Sequence, residues 1–329
     1  MPSFRRPKGT VLTGETTSGP SVVTLSAVVP ATNRPPTLAA CTAAIRMAEP
    51  PPNELIVVDD PALPGPAAAR NAGARRAKGD VVVFVDADVL VHRDAFRRIR
   101  AAFDADPELD ALFGSYDDTP TATGIVSVFR NLLHHHVHHA AAGTATTFWG
   151  GLGAVRKRAF ELVGGFDDER YQRPSVEDIE LGLRMHAAGA TIVLDPAVQG
   201  THLKAWDLRQ MVETDLVYRG IPWARLVLEG RGGSSGLNLS WRNRLSALTV
   251  LVGTVALFGG RARVVGLAIV TLVALNRSFY RLLARKLGPR GVVAAVGLHA
   301  VHLLTASASV FAATVAHVFY RRRDPVEPA

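Results

Sequence analysis

The chain has 329 residues, a formal net charge of +8, a pI of about 10.1 and one cysteine, Cys41. A single cysteine excludes an intramolecular disulfide and a zinc cluster built on cysteines. A basic chain favours nucleic acid, phosphorylated ligands or an anionic membrane surface as its partner. Most acidic residues precede about residue 215, and the last third is apolar with arginine-rich breaks. This distribution favours a membrane, and no nucleic-acid partner is expected.

In chain order, residues 1–20 are rich in Gly, Ser, Thr and Pro and are predicted to form a flexible tail. Apolar, β-branched runs then alternate with helical stretches, which is typical of an α/β domain with a mainly parallel sheet. A turn is expected at Pro196. The predicted strands are Val22–Val29, Leu55–Val58, Val81–Val85, Ala111–Ser115 and Thr191–Leu194, and the predicted helices are Pro66–Ala77 and Arg93–Ala105.

The last third of the chain contains three apolar stretches, Leu245–Phe258, Val264–Leu275 and Gly291–Tyr320. Only the third reaches the roughly 20 residues that a membrane-spanning helix needs. We therefore expect residues 241–329 to form transmembrane or membrane-associated helices that follow a catalytic domain of residues 21–240. A buried helical hairpin in a soluble domain is the alternative.

Aspartates stand where two of the predicted strands end. Asp59 and Asp60 follow the second strand, and Asp86 and Asp88 follow the third. In parallel sheets, ligands bind beyond the carboxyl ends of the strands. Asp86 and Asp88 would share a face of an extended chain, where they suit a divalent cation, Mg²⁺ or Mn²⁺, that carries a diphosphate. Asp88 is the expected metal ligand, and Asp86 is the nucleotide or metal partner.

Structural alternatives exist for the neighbouring residues. Aspartate is common in turns, so Asp59 and Asp60 have a simple interpretation as turn residues. In the functional interpretation, the second of them accepts a hydrogen bond from a nucleobase or a ribose. Arg70, on the next helix, either forms part of a solvated face or ion pair, or neutralises a carboxylate or a nucleotide phosphate.

Seven segments of the chain resemble segments of the family 2 glycosyltransferases, which have the GT-A fold, and they occur in the order expected for that family. They span about residues 22–205. The chain departs from the family pattern after Pro30, because an aromatic or acidic residue is common within the segment that here reads Pro30-Ala31-Thr32-Asn33-Arg34. The segments are Val28-Val29-Pro30, Val57-Val58-Asp59-Asp60, Arg70-Asn71-Ala72-Gly73, Val85-Asp86-Ala87-Asp88, Gly150-Gly151-Leu152-Gly153-Ala154-Val155-Arg156, the stretch from Ala159 to Asp167, and Glu177-Asp178-Ile179-Glu180-Leu181.

The resemblance implies an inverting transferase that uses a nucleotide-diphospho-sugar and a divalent cation. Asp178 would be the general base, with Glu177 beside it in the catalytic motif. The other roles that the resemblance implies are donor binding by Pro30, Asp59, Asp60, Arg70 and Asp86, metal binding by Asp88, Asp86 and His202, and an acceptor side that includes Trp149, Gly150 and Gly151.

Each of these roles has a structural alternative. Acidic residues at Glu177 and Asp178 are also favourable at the N-terminus of a helix, because they interact with its dipole. A lone histidine such as His202 is more often structural than a metal ligand, and Trp149 is equally consistent with core packing. The run His134–His139 would place pairs of rings on one helix face, and a solvated or phosphate-facing helix is favoured over a second metal site.

The sequence therefore predicts a membrane-attached glycosyltransferase with its catalytic domain on the cytoplasmic face. The expected acceptor is a hydroxyl or phosphate of a lipid or glycolipid, because apolar segments follow the catalytic domain. Two alternatives stay open: a catalytically inactive membrane scaffold that binds nucleotide, and a polysaccharide synthase. The synthase is disfavoured because Gln210-Met211-Val212-Glu213 is not a Q-x-x-R-W motif and the apolar segments are few.

Overall fold

The computed structural model describes residues 22–231 and 241–323. The predicted tail of residues 1–20 lies outside the described part of the chain. The described residues form two compact units. The first unit comprises residues 22–115 and 142–201, and the second comprises residues 116–141, 202–231 and 241–323.

The first unit is built on a mixed sheet with helices packed around it. Its helices are α1 (Leu38–Arg46), α2 (Gly65–Arg76), α3 (Ala95–Ala105), α5 (Lys157–Leu162) and α6 (Glu177–Ala187). Its strands are β1 (Leu25–Pro30), β2 (Glu54–Val58), β3 (Val81–Val85), β4 (Val89–Val91), β5 (Leu109–Tyr116), β6 (Gly143–Thr144), β7 (Leu152–Arg156) and β8 (Thr191–His202).

The strand order is β2-β1-β3-β7-β5-β8-β4, and β6 pairs with β8. β1 runs parallel to both β2 and β3. β7 runs antiparallel to β3 and to β5, so β5 points in the same direction as β3. The predicted α/β class is confirmed, with β7 as an antiparallel insertion that the sequence did not predict.

The centre of the sheet is fully apolar. All five residues of β3 are buried, because helices or loops cover both faces of a strand in this position. The Phe84 ring lies 5.5 Å from that of Phe160 and 5.2 Å from that of Phe166, measured between centroids. This aromatic cluster fixes the segment after β7 against β3, the strand that Asp86 follows.

Most predicted elements of the first unit are present with shifted ends. β3 has its predicted bounds, whereas β1 begins at Leu25 instead of Val22. The predicted turn at Pro196 is wrong, because β8 continues through this residue to His202. The next backbone N–H, that of Ala197, donates to the Asp195 side chain at 2.9 Å, so the proline sits at a local irregularity of the ladder.

The second unit is helical. A buried apolar cluster that includes Phe129, Leu132, Phe279 and Leu283 holds α4 against α11. Its elements are α4 (Ile125–Ala140), α7 (Leu208–Glu213), a π-helical segment (Thr214–Gly220), α8 (Ile221–Leu228), α9 (Trp241–Phe258), α10 (Ala262–Leu275) and α11 (Arg277–Arg323).

The histidine run lies on α4 and its rings pair as the helical spacing predicts. The centroids of His134 and His138 are 3.9 Å apart, and those of His135 and His139 are 3.8 Å apart. Burial lowers the pKa of His134 and His135 and lowers the pKa of His136 to about 4. These three rings are therefore neutral at pH 7. The interpretation of α4 as a solvated helix is wrong for its packed face, where His138 is also buried.

Candidate active site

The carboxyl ends of three neighbouring strands form one edge of the sheet in the first unit. Pro30 ends β1 and pairs with Val58 at the end of β2. Because β3 is parallel to β1, Asp86 follows at the same edge. The structure therefore brings together the strand ends from which the sequence predicted a donor site.

Asp59 and Asp60 are exposed in the loop after β2. The Asp59 carboxylate lies 3.0 Å from the Arg34 guanidinium. Oδ1 of Asp60 accepts the Ala62 backbone N–H at 2.9 Å, so Asp60 shapes the turn that leads towards α2. This is the structural role that the sequence allowed for it, and a contact with a nucleotide stays a prediction.

Asp86 and Asp88 are half-buried in the turn between β3 and β4. The Asp86 N–H donates to the Gly151 carbonyl, and the Asp86 carbonyl accepts the Val89 N–H, both at 3.0 Å. Burial raises the pKa of the Asp86 carboxyl; Arg70 opposes this shift and the nearby Asp88 adds to it. The two carboxylates thus repel each other, and a cation between them would relieve that repulsion.

The thiol of Cys41 lies beside the same turn, where its sulfur is 3.5 Å from the Asp86 carbonyl oxygen. Burial, with help from the negative charges of Asp86 and Asp88, raises the pKa of this thiol to about 12. Cys41 is therefore a neutral packing residue. It supplies no thiolate that would compete with the carboxylates for a cation.

Arg70 on α2 is 4% exposed and joins two parts of the site. Its Nη2 donates to Oδ1 of Asp86 at 2.6 Å, and its Nη1 donates to Oε1 of Glu177 at 2.9 Å. Burial alone would lower the pKa of Arg70, but the carboxylates of Asp86, Glu177 and Asp178 raise it above its ordinary value. Arg70 therefore neutralises carboxylates, which is one of the roles the sequence left open. Contact with a nucleotide phosphate stays a prediction.

Replacing Arg70 by Met is expected to lower the free energy of unfolding by about 3–5 kcal/mol, because the change leaves buried acidic groups without their partner. The Glu177 side chain is only 6% exposed, so water cannot replace the lost guanidinium. Denaturant unfolding of the full chain in detergent measures the loss. Arg75→Met, at an exposed position of the same helix, is the matched control. Equal losses in the two variants would contradict the assigned role.

Asp178 stands at the start of α6 and contacts the loop before β7. Its Oδ2 accepts the Gly150 backbone N–H at 3.0 Å, and its Oδ1 accepts the Ile179 N–H at 2.8 Å. The residue is half-buried, so a ligand can still reach it. Glu177, in contrast, is buried and uses Oε1 for Arg70 and Oε2 for the Ser175 N–H. Asp178 is therefore the accessible carboxylate of the pair, whereas Glu177 is a buried carboxylate that positions the residues around it.

The loop before β7 needs glycine where an aromatic ring crosses it. A Cβ on Gly151 would lie 2.4 Å from the Trp149 ring, so any other residue here would displace that ring. Phe148 points into the core and its ring is 6.0 Å from that of Phe113. Gly182 lets α6 approach this loop, because its Cβ would lie 2.2 Å from the Phe148 nitrogen. Trp149 is half-buried over Gly151, and its contact with an acceptor stays a prediction.

The carboxylates of the site fit a divalent cation whose coordination shell is completed by a substrate. Within the described residues, no group of three His, Cys, Asp or Glu side chains could hold a metal by itself. Mg²⁺ commonly takes only one or two carboxylates and completes its shell with water and substrate phosphates. Asp86 and Asp88 match that arrangement. His202 belongs to the second unit, is buried, and stacks on the Tyr116 ring at a centroid distance of 4.2 Å.

Sequence reasoning missed two residues that hold the site's framework. Asn71 donates to the Phe166 carbonyl at 2.8 Å and accepts the Phe166 N–H at 2.9 Å. Arg184 on α6 pairs with Glu180 and donates to the Gly165 carbonyl at 2.6 Å. The four-residue spacing of Glu180 and Arg184 was a visible signal for their pair, whereas nothing local indicated the partner of Asn71.

Residues 62–164 match the family model described as glycosyl transferase family 2. A curated relative, the pre-mycofactocin glycosyltransferase of Mycobacterium tuberculosis strain CDC 1551 / Oshkosh, is 26% identical over 179 residues. The protein of the same name from strain H37Rv gives the same values. The alignment covers 51% of this chain and 36% of the relative, so the chain spans about a third of the relative's length.

Two solved structures are similar over most of the chain at low identity. A mannosyltransferase from Pyrobaculum calidifontis, in complex with GDP-Man and Mn²⁺, is 17% identical with a TM-score of 0.45 and covers 94% of this chain and 92% of its own. Residues 1–349 of S. aureus TarS, in complex with UDP-GlcNAc, are 15% identical with a TM-score of 0.44 and cover 89% of this chain and 92% of their own.

Of the segments that suggested the family in the sequence, those that contain Asp60 and Asp88 follow β2 and β3 at the edge of the sheet, and the one that contains Asp178 begins α6. Asp86, Asp88 and Gly150 fall inside the matched region, and Glu177 and Asp178 follow it in the same unit. The chain therefore contains a region, residues 62–164, that is similar to the family 2 glycosyltransferases.

Proposed function

We propose that the chain is a membrane-attached inverting glycosyltransferase that moves a sugar from a nucleotide-diphospho-sugar to a lipid-linked acceptor. The observation that carries this proposal is the hydrogen-bonded assembly of the first unit. Arg70 joins Asp86 to Glu177, and Gly150 joins the loop before β7 to Asp178. A carboxylate of the proposed donor site, Asp86, and an accessible base, Asp178, are thereby held in one framework, as sugar transfer requires.

Asp178 is the proposed general base. The acceptor hydroxyl attacks the anomeric carbon, its proton passes to the Asp178 carboxylate, and the bond from the anomeric carbon to the diphosphate oxygen breaks. The Gly150 and Ile179 N–H groups hold the carboxylate in place. Glu177 has both oxygens engaged, so its proposed contribution is to position the start of α6 through Arg70.

Asp88 and Asp86 are the proposed ligands of a divalent cation, Mg²⁺ or Mn²⁺, together with the donor diphosphate. Bound there, the cation would offset the negative charge of the leaving diphosphate. Pro30, Asp59 and Asp60 would line the nucleotide side of the same sheet edge. His202 is kept as a proposed further ligand.

Membrane attachment is proposed for the C-terminal helices. Within the described residues, one helix, Arg277–Phe319, is long and apolar enough to cross a membrane, and only 22% of its most apolar part is buried. Large apolar side chains also face outward on α9, α10 and α11, as Phe258 (88% exposed), Leu267 (66%) and Phe311 (71%) illustrate. Such a surface is typical of contact with lipid, and it supports a lipid or glycolipid acceptor.

We expect the full chain to stay in the membrane pellet when membranes are washed with alkaline carbonate, because burying its exposed apolar side chains in water-free lipid stabilises attachment by about 25 cal/mol per Å². Immunoblotting of pellet and supernatant is the measurement. A known peripheral protein from the same preparation should be released in parallel. Release of the full chain by carbonate or by salt alone would contradict integral attachment.

A screen of nucleotide sugars tests the proposed donor. The full chain in detergent is heated with each UDP-, GDP- and dTDP-linked sugar, with Mn²⁺ or with EDTA. At least one donor should raise the unfolding temperature only when the metal is present, because ligand binding stabilises the folded state. If no nucleotide or nucleotide sugar shifts it, the proposal fails. Binding without turnover would instead favour the inactive scaffold, and product that lengthens with time would favour the polysaccharide synthase.

A further inference from the structure

The α9–α10 hairpin is closed at its base by a buried polar contact. Nδ2 of Asn276, directly after α10, donates to the Ser246 hydroxyl at 2.9 Å and to the Leu272 carbonyl at 2.9 Å. Both Asn276 and Ser246 are buried. The first turns of α9 and the last turn of α10 are therefore neighbours, and α11 starts at this base.

The first part of α11 is an amphipathic segment with its own boundary. The helix is interrupted at Gly288, whose φ of 68° and ψ of 178° are not helical, and Pro289 follows. Before this break, Phe279, Tyr280, Leu282 and Leu283 are buried. The Phe279 ring lies 5.9 Å from that of Phe129 on α4, which fixes the rotation of the segment.

The opposite side of this segment is basic. Arg277, Arg281 and Arg285 follow each other at four-residue spacing and are all exposed, so they form one face of the helix, here called the arginine face. In the described part of the chain, no ion pair joins these three residues to an acidic side chain. The adjacent Lys286 differs, because its Nζ lies 2.8 Å from the Asp118 carboxylate.

The stretch of sequence around the arginine face is basic and contains no acidic residue. Residues 241–323 contain eleven Arg and one Lys and neither Asp nor Glu. Arg242 and Arg244 lie in the first turn of α9, at the same hairpin base, and Arg290 follows the break in α11. The arginine face thus lies where apolar helices begin, in a stretch of the described chain that contains no acidic residue.

We infer that the arginine face binds the headgroups of anionic phospholipids and thereby sets the depth at which the C-terminal helices enter the membrane. The inference rests on the proposed membrane attachment and adds the chemistry of the lipid partner. Basic residues at the border of apolar helices are attracted to anionic lipid surfaces, each strengthening binding about fivefold. The buried side of the segment, which contains Phe279, packs against α4. The three arginines on its opposite side are therefore held on one exposed face.

The same charges also predict an orientation. Arginine and lysine next to apolar helices favour the cytoplasmic side of a membrane. The hairpin base and the arginine face carry six arginines, Arg242, Arg244, Arg277, Arg281, Arg285 and Arg290. Two, Arg261 and Arg263, lie at the hairpin tip, and three, Arg321, Arg322 and Arg323, lie at the far end of α11. The excess of arginine at the base is small, and it favours the base at the cytoplasmic surface.

Lipid-dependent unfolding of the full chain tests the inference. Phosphatidylglycerol or phosphatidylcholine is titrated into dodecyl maltoside micelles that hold the protein, and the unfolding temperature is followed. Phosphatidylglycerol should stabilise the protein at lower concentration than phosphatidylcholine. The variant with Arg277→Gln, Arg281→Gln and Arg285→Gln should need about 10²-fold more phosphatidylglycerol, given about fivefold for each charge.

The matched control removes the same charge elsewhere. Arg46→Gln, Arg75→Gln and Arg76→Gln change exposed arginines of the first unit and should leave the phosphatidylglycerol response unchanged. In the unmodified chain, 0.5 M NaCl should weaken the response, because salt screens exposed charges; this arm needs no variant to fold. An equal response to both lipids, persistence at high salt, or the same stabilisation by inorganic phosphate would overturn the inference. If the chain still resists carbonate extraction in that case, the inference about anionic lipid is wrong and the proposed membrane attachment stands.

Discussion

Asp178→Asn is expected to bind the donor as tightly as the parent and to transfer sugar about 10²–10⁴-fold more slowly, which is the usual effect of losing a general base. The amide cannot take a proton from the acceptor hydroxyl. Donor binding should persist, because the proposed donor ligands, Asp86 and Asp88, lie at the end of β3 and keep their contacts. Turnover and donor titration of the same preparation measure the two effects separately.

The competing explanation gives Asp178 only a role at the N-terminus of α6, worth about 0.3–1 kcal/mol of stability. Under that explanation, Asp178→Asn would lose a little stability and keep its turnover. Glu161→Gln, at an exposed acidic position on α5, controls for the loss of one charge. Turnover of Asp178→Asn within a few-fold of the parent would remove Asp178 from the mechanism. Glu177 would then become the residue to test, although its two oxygens are engaged by Arg70 and the Ser175 N–H.

Asp88→Asn should abolish measurable transfer and the metal-dependent part of donor binding. The substitution replaces a charged oxygen ligand by a neutral amide beside Asp86, which weakens the hold on a divalent cation. A cation that stabilises charge in the transition state contributes several kcal/mol, and each 1.36 kcal/mol is tenfold in rate. Donor titrations of parent and variant, with Mn²⁺ and with EDTA, together with turnover, measure the effect.

The EDTA arm provides the internal control for this prediction. Without metal, parent and variant should bind the donor equally weakly, since the lost interaction needs the cation. A variant that binds the donor in a metal-dependent way and turns it over at a near-normal rate would show that Asp88 is not a metal ligand. A variant that differs from the parent in EDTA as well would point to a direct contact between Asp88 and the donor.

The strands and the carboxylates at their ends were predictable because their signals are local. β3 is buried on both faces and therefore reads as an uninterrupted apolar run, and Asp86 follows it directly. β7 was missed because its first residues, Leu152-Gly153, continue a glycine-rich loop, and antiparallel pairing with β3 has no local signal. β8 was cut short because Pro196 favours a turn in isolation, whereas the sheet accommodates it.

The links within the site were not predictable, because they join distant parts of the sequence. Arg70 and Glu177 are 107 positions apart, and Asn71 and Phe166 are 95 apart. The sequence indicated that Arg70 would meet a carboxylate or a phosphate, but only the packing of α2 against the start of α6 selects its partners. The same applies to α4, where the histidine spacing was visible and the burial by Phe279 of α11 was not.

The most direct measurement of the central claim is sugar transfer by the purified full chain. Each radiolabelled nucleotide sugar is incubated with a membrane lipid extract and Mn²⁺, and both the released nucleoside diphosphate and the label in the organic phase are counted. The account predicts that at least one donor gives the two products in equal amounts and that EDTA stops both. Binding of a donor with neither product formed, across the whole panel, would contradict it.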